Sequence, residues 1–147
     1  MALIYEIKNF ILESHEKPEI DRLEWWHVKI SPKIPVKDRS KLTPSQAIEL
    51  MRFTIVSWEA MILAMNKIWI EIGRINYQEN GNRKPKLHIH LYCRAKNATM
   101  QQYWEPIIPG NKPEYKPLND KDIERIKHEL DKLFKQEKFS DTKRNIL

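Results

Sequence analysis

The sequence predicts an α+β domain: an antiparallel sheet with one long helix and one shorter C-terminal helix packed against it. Three observations lead there. Residues 26–31 (WHVKIS) and 86–93 (KLHIHLYC) alternate apolar and polar side chains, the period of a strand with one buried face. Thr43-Pro44 opens a long run with apolar residues every three or four positions. Asn119, followed by Asp120 and Asp122, opens a second and shorter run of that kind.

Taken in order, residues 4–12 read as a strand or a short helix, and the polar stretch 13–24 as a connection. The strand at 26–31 ends at Pro32, and a loop runs through Pro35 to Lys41. The long helix has Thr43 as its cap, Pro44 at the first helical position and Gln46 three residues after the cap. Its stripe of Ile48, Met51, Ile55, Trp58, Ile62 and Met65 is expected to face the core. Residues 68–75 (IWIEIGRI) read as a strand. A loop over 76–85, turning at Asn80-Gly81, joins it to the strand at 86–93. So short a connection requires an antiparallel pair. Residues 105–118 hold four prolines and one glycine and read as an irregular crossing segment. The last helix spans about 119–136, with Ile123, Ile126, Leu130 and Leu133 as its apolar face, and the polar tail after Phe139 is expected to fray.

The 147 residues suit one domain, 1–147, and 41% apolar content supports a real core. The net charge of +6 favours anionic partners, but acids are interspersed with the bases, so charge alone reads as a soluble basic surface. The single cysteine, Cys93, cannot form an internal disulfide. There is no apolar run of transmembrane length and no secretory signal pattern at the N-terminus. A soluble, cytoplasmic protein without membrane contact is the expectation.

The chemistry concentrates in Lys86–Arg94. His88 and His90 are two residues apart and so share one face of a strand, while Leu87, Ile89 and Leu91 share the other. Three readings compete: an exposed pair of histidines, a metal site, and nucleophilic catalysis at phosphorus. The other candidate ligands (His15, His27, His128, Cys93) lack ligand-like spacing, so metal ranks lowest. A neutral imidazole can attack a phosphoryl group, and a second imidazole, cations and backbone amides can hold the phosphate. The upstream loop offers Asn76, Gly81 and Asn82, with Gly81 permitting close approach of backbone to a ligand.

KLHIHLYCR resembles the active strand of the histidine-triad family of nucleotide hydrolases and transferases, whose pattern is His-φ-His-φ-His-φ-φ, often with an Arg shortly after. WHVKISPK (26–33), LTPSQAIELM (42–51) and GRINYQENGN (73–82) look like the family's preceding elements in the same order. The resemblance spans roughly 15–105. Aligning on Arg94 puts Lys86 first in the triad, His88 in the middle and His90 third. The middle histidine is the family's nucleophile, so the resemblance implies a nucleotidyl intermediate on His88. The other register makes His90 the nucleophile and Tyr92 third. Arg94 and the Gly-polar pair favour the first.

The resemblance implies that Asn76, Gly81, Asn82, Lys86, Arg94 and Lys96 surround the phosphates, and more weakly that Ser14 and His15 contact the nucleoside. It implies no metal site and no required cofactor, with Mg²⁺ at most accompanying the nucleotide. It also implies a homodimer. Two departures stand out: Lys86 replaces the first histidine, and Trp25-Trp26 precede His27 where the family usually has a small residue. The expected activity is cleavage of a phosphoanhydride or phosphoramidate bond, as in a dinucleoside polyphosphate. The rivals are a nucleotide-binding module without turnover and a nucleic-acid-binding protein stacking bases on Trp25, Trp26, Tyr77 and Trp104.

Overall fold

In the computed structural model of the chain, residues 1–24, 26–108 and 114–136 are described. Trp25 and the tail after Phe139 lie outside the described residues. Five strands form one antiparallel sheet: β1 (Leu3–Glu6), β2 (Phe10–Ser14), β3 (Trp26–Pro32), β4 (Ile72–Gln78) and β5 (Ile89–Ala95), in the order β1-β2-β3-β5-β4. Two helices, α1 (Pro44–Asn66) and α2 (Asp120–Phe134), complete the α+β fold.

Both helices start as their sequences dictate. Thr43 caps α1 and Asn119 caps α2, each in a reciprocal capping box with the residue three positions on, Gln46 and Asp122. The sheet buries one face, with Leu12, Val28, Ile30, Leu87, Ile89, Leu91 and Cys93 packed against Phe53, Ala60, Met61 and Ala64 of α1 and Ile126 and Leu130 of α2.

Several expectations need correction. Residues 4–12 hold two strands of a hairpin, closed where Ile7 N–H donates to Phe10 O, and β2 runs to Ser14, into the expected connection. The strand expected at 68–75 lies at 72–78, because α1 ends in a turn through Trp69, whose φ is 65°. Asn76 is therefore a strand residue. β5 starts at Ile89, so Lys86 and His88 precede it.

The stripe expected to bury α1 is on another flank. Ile48, Met51, Ile55 and Trp58 are exposed, Ile62 is half-buried, and Met65 alone of that set is fully buried. The helix instead buries Leu50, Phe53, Val56, Ser57, Ala60, Met61 and Ala64. The small side chains Ser57, Ala60 and Ala64 let it approach the sheet closely, although they contribute little to hydropathy.

Candidate active site

The outer face of the sheet, opposite α1, carries the polar residues. Strand alternation puts Phe10, Leu12 and Ser14 on the core side of β2, and Glu13 and His15 on the outer side. Register then builds two rows across the sheet. Lys29 of β3, His90 of β5 and Gln78 of β4 stand side by side, as do His27, Tyr92 and Asn76. The alternation that buries Val28 and Ile30 points His27 and Lys29 outward.

Four imidazoles meet here. His15 stacks on His27, with centroids 4.8 Å apart and planes at 9°. His27 lies 5.0 Å from His90 and 4.5 Å from the Tyr92 ring. His88 meets His90 edge to face at 5.1 Å. Hydrogen bonds fix them further. Glu19 backbone N–H donates to His27 Nδ1 at 3.2 Å, and His27 Nε2 lies 2.8 Å from His90 Nδ1. His88 Nδ1 lies 2.6 Å from the carbonyl oxygen of Lys86. A carbonyl only accepts, so His88 Nδ1 carries a proton, and in the neutral ring Nε2 keeps a lone pair.

Burial pushes the His90 pKa down to about 3, reinforced by the charges of His88, His15 and Lys29. His27 is pushed well below its ordinary value by burial and by His90, His15 and Lys29. His15 is lowered by burial and Lys29, with Lys84 adding to the effect. His15, His27 and His90 are thus held towards the neutral form, with Lys29 and Lys84 as nearby cations.

The remaining sequence-predicted residues fall into distinct places. Lys86, Gly81 and Asn82 are exposed on the connection before β5. Arg94 is 1% exposed and donates to Asn76 Oδ1 at 2.8 Å and to the carbonyl oxygens of Gln102 and Glu105 at 2.8 and 2.6 Å. Arg94 and Asn76 thus bond to each other beneath the crossing segment. Lys96 pairs with Glu71 at 2.6 Å beyond the far end of β5. Ser14 points into the core side and bonds the backbone of Ala2, whereas His15 joins the histidine cluster. Trp26 is fully buried in the core, which removes it as a stacking platform. Among the described residues, no group of three or more His, Cys, Asp or Glu side chains is arranged so that it could hold a metal ion. Sequence reading missed Lys29, and weighed His27 only as a metal ligand and Tyr92 only as the third position of the other register, although alternation along WHVKISPK places His27 and Lys29 on the face of the HxH pair.

An antiparallel five-stranded sheet with the long helix on one face and an HxH strand working on the other matches solved structures across most of its length. The fold is that of the histidine-triad proteins. A histidine triad protein from Sinorhizobium meliloti 1021 superposes with a TM-score of 0.67 at 16% identity, covering 89% of this chain and 87% of that one. One from Marinobacter aquaeolei VT8 gives 0.65 at 18% identity, covering 89% and 86%. A hypothetical histidine triad nucleotide-binding protein from Sulfolobus tokodaii strain 7 gives 0.63 at 15% identity, covering 90% and 85%. No protein-family model and no curated protein matches the sequence. No described helix of this histidine-triad fold is long and apolar enough to cross a membrane.

Proposed function

We propose that the chain binds nucleotides and cleaves a phosphoanhydride or phosphoramidate bond at the α-phosphorus through a nucleotidyl-histidine on His88. The observation that carries this reading is the bond from His88 Nδ1 to the Lys86 carbonyl. In the neutral ring it leaves Nε2 as the unprotonated atom, which a nucleophile needs. The bond also favours the register with His88 in the middle.

His88 Nε2 attacks the α-phosphorus, and the bond from phosphorus to the leaving oxygen or nitrogen breaks. The leaving group takes a proton from solvent. Water then attacks the phosphorus, the P–N bond to His88 breaks, and the nucleoside monophosphate departs. Lys29, Lys86 and His90 surround the phosphate oxygens and offset the developing charge. Mg²⁺ enters as part of the substrate, on its polyphosphate chain. Dinucleoside polyphosphates fit the chemistry as one substrate class.

The assembly in this reading is a homodimer. α2 packs on α1 and on β1. α1 also contacts β4, and its apolar residues Ile48, Met51, Ile55 and Trp58 are exposed. β4 pairs on one side only among the described residues, and Tyr77, on its core face opposite Leu91, is 49% exposed. An open strand edge together with an exposed apolar helix flank supports pairing with a two-fold partner.

The test is incubation with a panel of dinucleoside polyphosphates and nucleoside phosphoramidates, reading products and intact mass. Wild type should release nucleoside monophosphate and show a nucleotidyl adduct in a rapid quench. His88→Ala should lose turnover by roughly 10³-fold or more while still binding nucleotide. Binding without any adduct would favour a module without turnover, a reading that Lys86 in the first triad position supports.

A further inference from the structure

We infer that His27 is a positioning residue that fixes the proton of His90 on Nε2, so that His88 and His90 stand side by side in opposite tautomers. The chain of deduction starts at a backbone amide. Glu19 N–H can only donate, so His27 Nδ1 must accept and carries no proton. A neutral His27 ring then holds its proton on Nε2. That N–H points at His90 Nδ1, 2.8 Å away, so His90 Nδ1 is the acceptor. The proton of a neutral His90 is left on Nε2. The Lys86 carbonyl imposes the reverse on a neutral His88, with the proton on Nδ1 and Nε2 bare.

The surroundings hold this arrangement. His27 is 2% exposed, so its ring is costly to charge. His15 covers one face at 4.8 Å and Tyr92 closes from another direction at 4.5 Å, which limits rotation of the ring. Tyr92 also stacks parallel to His90 at 5.9 Å. The product is a matched pair with centroids 5.1 Å apart: one ring offers a lone pair for phosphorus and the other an N–H for a phosphate oxygen. Phosphate is thereby preferred over a cation, which would need two lone pairs. This role rests on the phosphoryl-transfer reading above, but the tautomers can be measured without any substrate.

The experiment is long-range ¹H–¹⁵N correlation spectroscopy of the full-length ¹⁵N-labelled protein at pH 7.5, combined with turnover of the panel substrate that wild type cleaves. His27 and His90 should show protons on Nε2 and His88 on Nδ1. His27→Leu should leave His90 exchanging between tautomers and lower kcat by roughly 10–100-fold with little change in KM. His27→Gln should restore the Nε2–H signal of His90 and most of kcat, because its amide oxygen can accept from Glu19 and its NH₂ can donate to His90. A wild-type His90 protonated on Nδ1 overturns the proposal, as does an unchanged His90 signal in His27→Leu. If His27→Leu fails to fold, the wild-type and His27→Gln spectra still decide. A wild-type protein that shows the tautomers but turns over nothing refutes the hydrolase reading and leaves the tautomer assignment standing.

Discussion

The guanidinium of Arg94 and the side-chain amide of Asn76 are bonded to each other at 2.8 Å, under a crossing segment whose Gln102 and Glu105 carbonyls accept from the same guanidinium. Arg94 thus clamps three pieces of chain: β5, β4 and the segment that leaves β5. Arg94→Lys keeps the charge but cannot span the fork. It should lower unfolding free energy by about 3 kcal/mol, since buried acceptors lose their partners. Asn76→Ala should cost about 1–2 kcal/mol. Urea denaturation midpoints check both. Normal midpoints combined with lost nucleotide affinity would instead make Arg94 a phosphate ligand.

Stability should fall on mild acidification. The folded pKa values of His27 and His90 lie below the ordinary histidine value, with His90 at about 3. Between pH 6.5 and that lower range the unfolded chain takes up protons that the folded chain refuses. The stabilisation is complete above about pH 6.5 and is lost as pH falls towards 3. At pH 5 the His90 ring should account for roughly 2 kcal/mol of lost stability, with His27 adding a loss of the same sign. Carboxylates such as Glu129, whose folded pKa is lowered from 4.5, add their own loss only at lower pH. Urea midpoints at pH 7.5 and 5.0 measure the effect, and His27→Gln should shrink the difference. Equal midpoints for wild type would mean that the rings are already charged.

The bare flank of α1 gives a separate expectation. Ile55 and Trp58 sit at its middle, 37% and 39% exposed. Trp58→Glu or Ile55→Glu should convert a dimer to a monomer in sedimentation velocity at micromolar concentration, with the fold retained by circular dichroism. Wild type that sediments as a monomer would refute the assembly.

How much of this was legible in the sequence depends on how local each signal is. Alternation in KLHIHLYC placed Leu87, Ile89 and Leu91 in the core and the two imidazoles opposite them, because two-residue periodicity is a local property. Capping at Thr43 and Asn119 was equally readable. The burial of α1 was not. Its core side rests on Ser57, Ala60 and Ala64, whereas the bulkier Ile55 and Trp58 stay on the surface, and hydropathy follows bulk. The start of β4 was misplaced because Ile68, Ile70 and Ile72 alternate like a strand, and no glycine marks the left-handed turn at Trp69. The clamp around Arg94 was not legible because Gln102 and Glu105 arrive through a loop that no periodicity announces.

The loop that supplies the Glu19 amide is moored from far along the chain. Arg22 holds the fully buried Asp122, at the first turn of α2, with two bonds of 2.6 and 3.0 Å. Arg22 N–H also reaches the Lys116 carbonyl, and Asp21 accepts from Lys116 N–H. α2 packs on α1 and β1, yet the frame that holds a single N–H against His27 runs through its first turn. The protonation pattern of the histidine cluster is in this sense set by a residue about a hundred positions downstream, and slackness at that anchorage would be felt as a change in acid–base character before any change in shape.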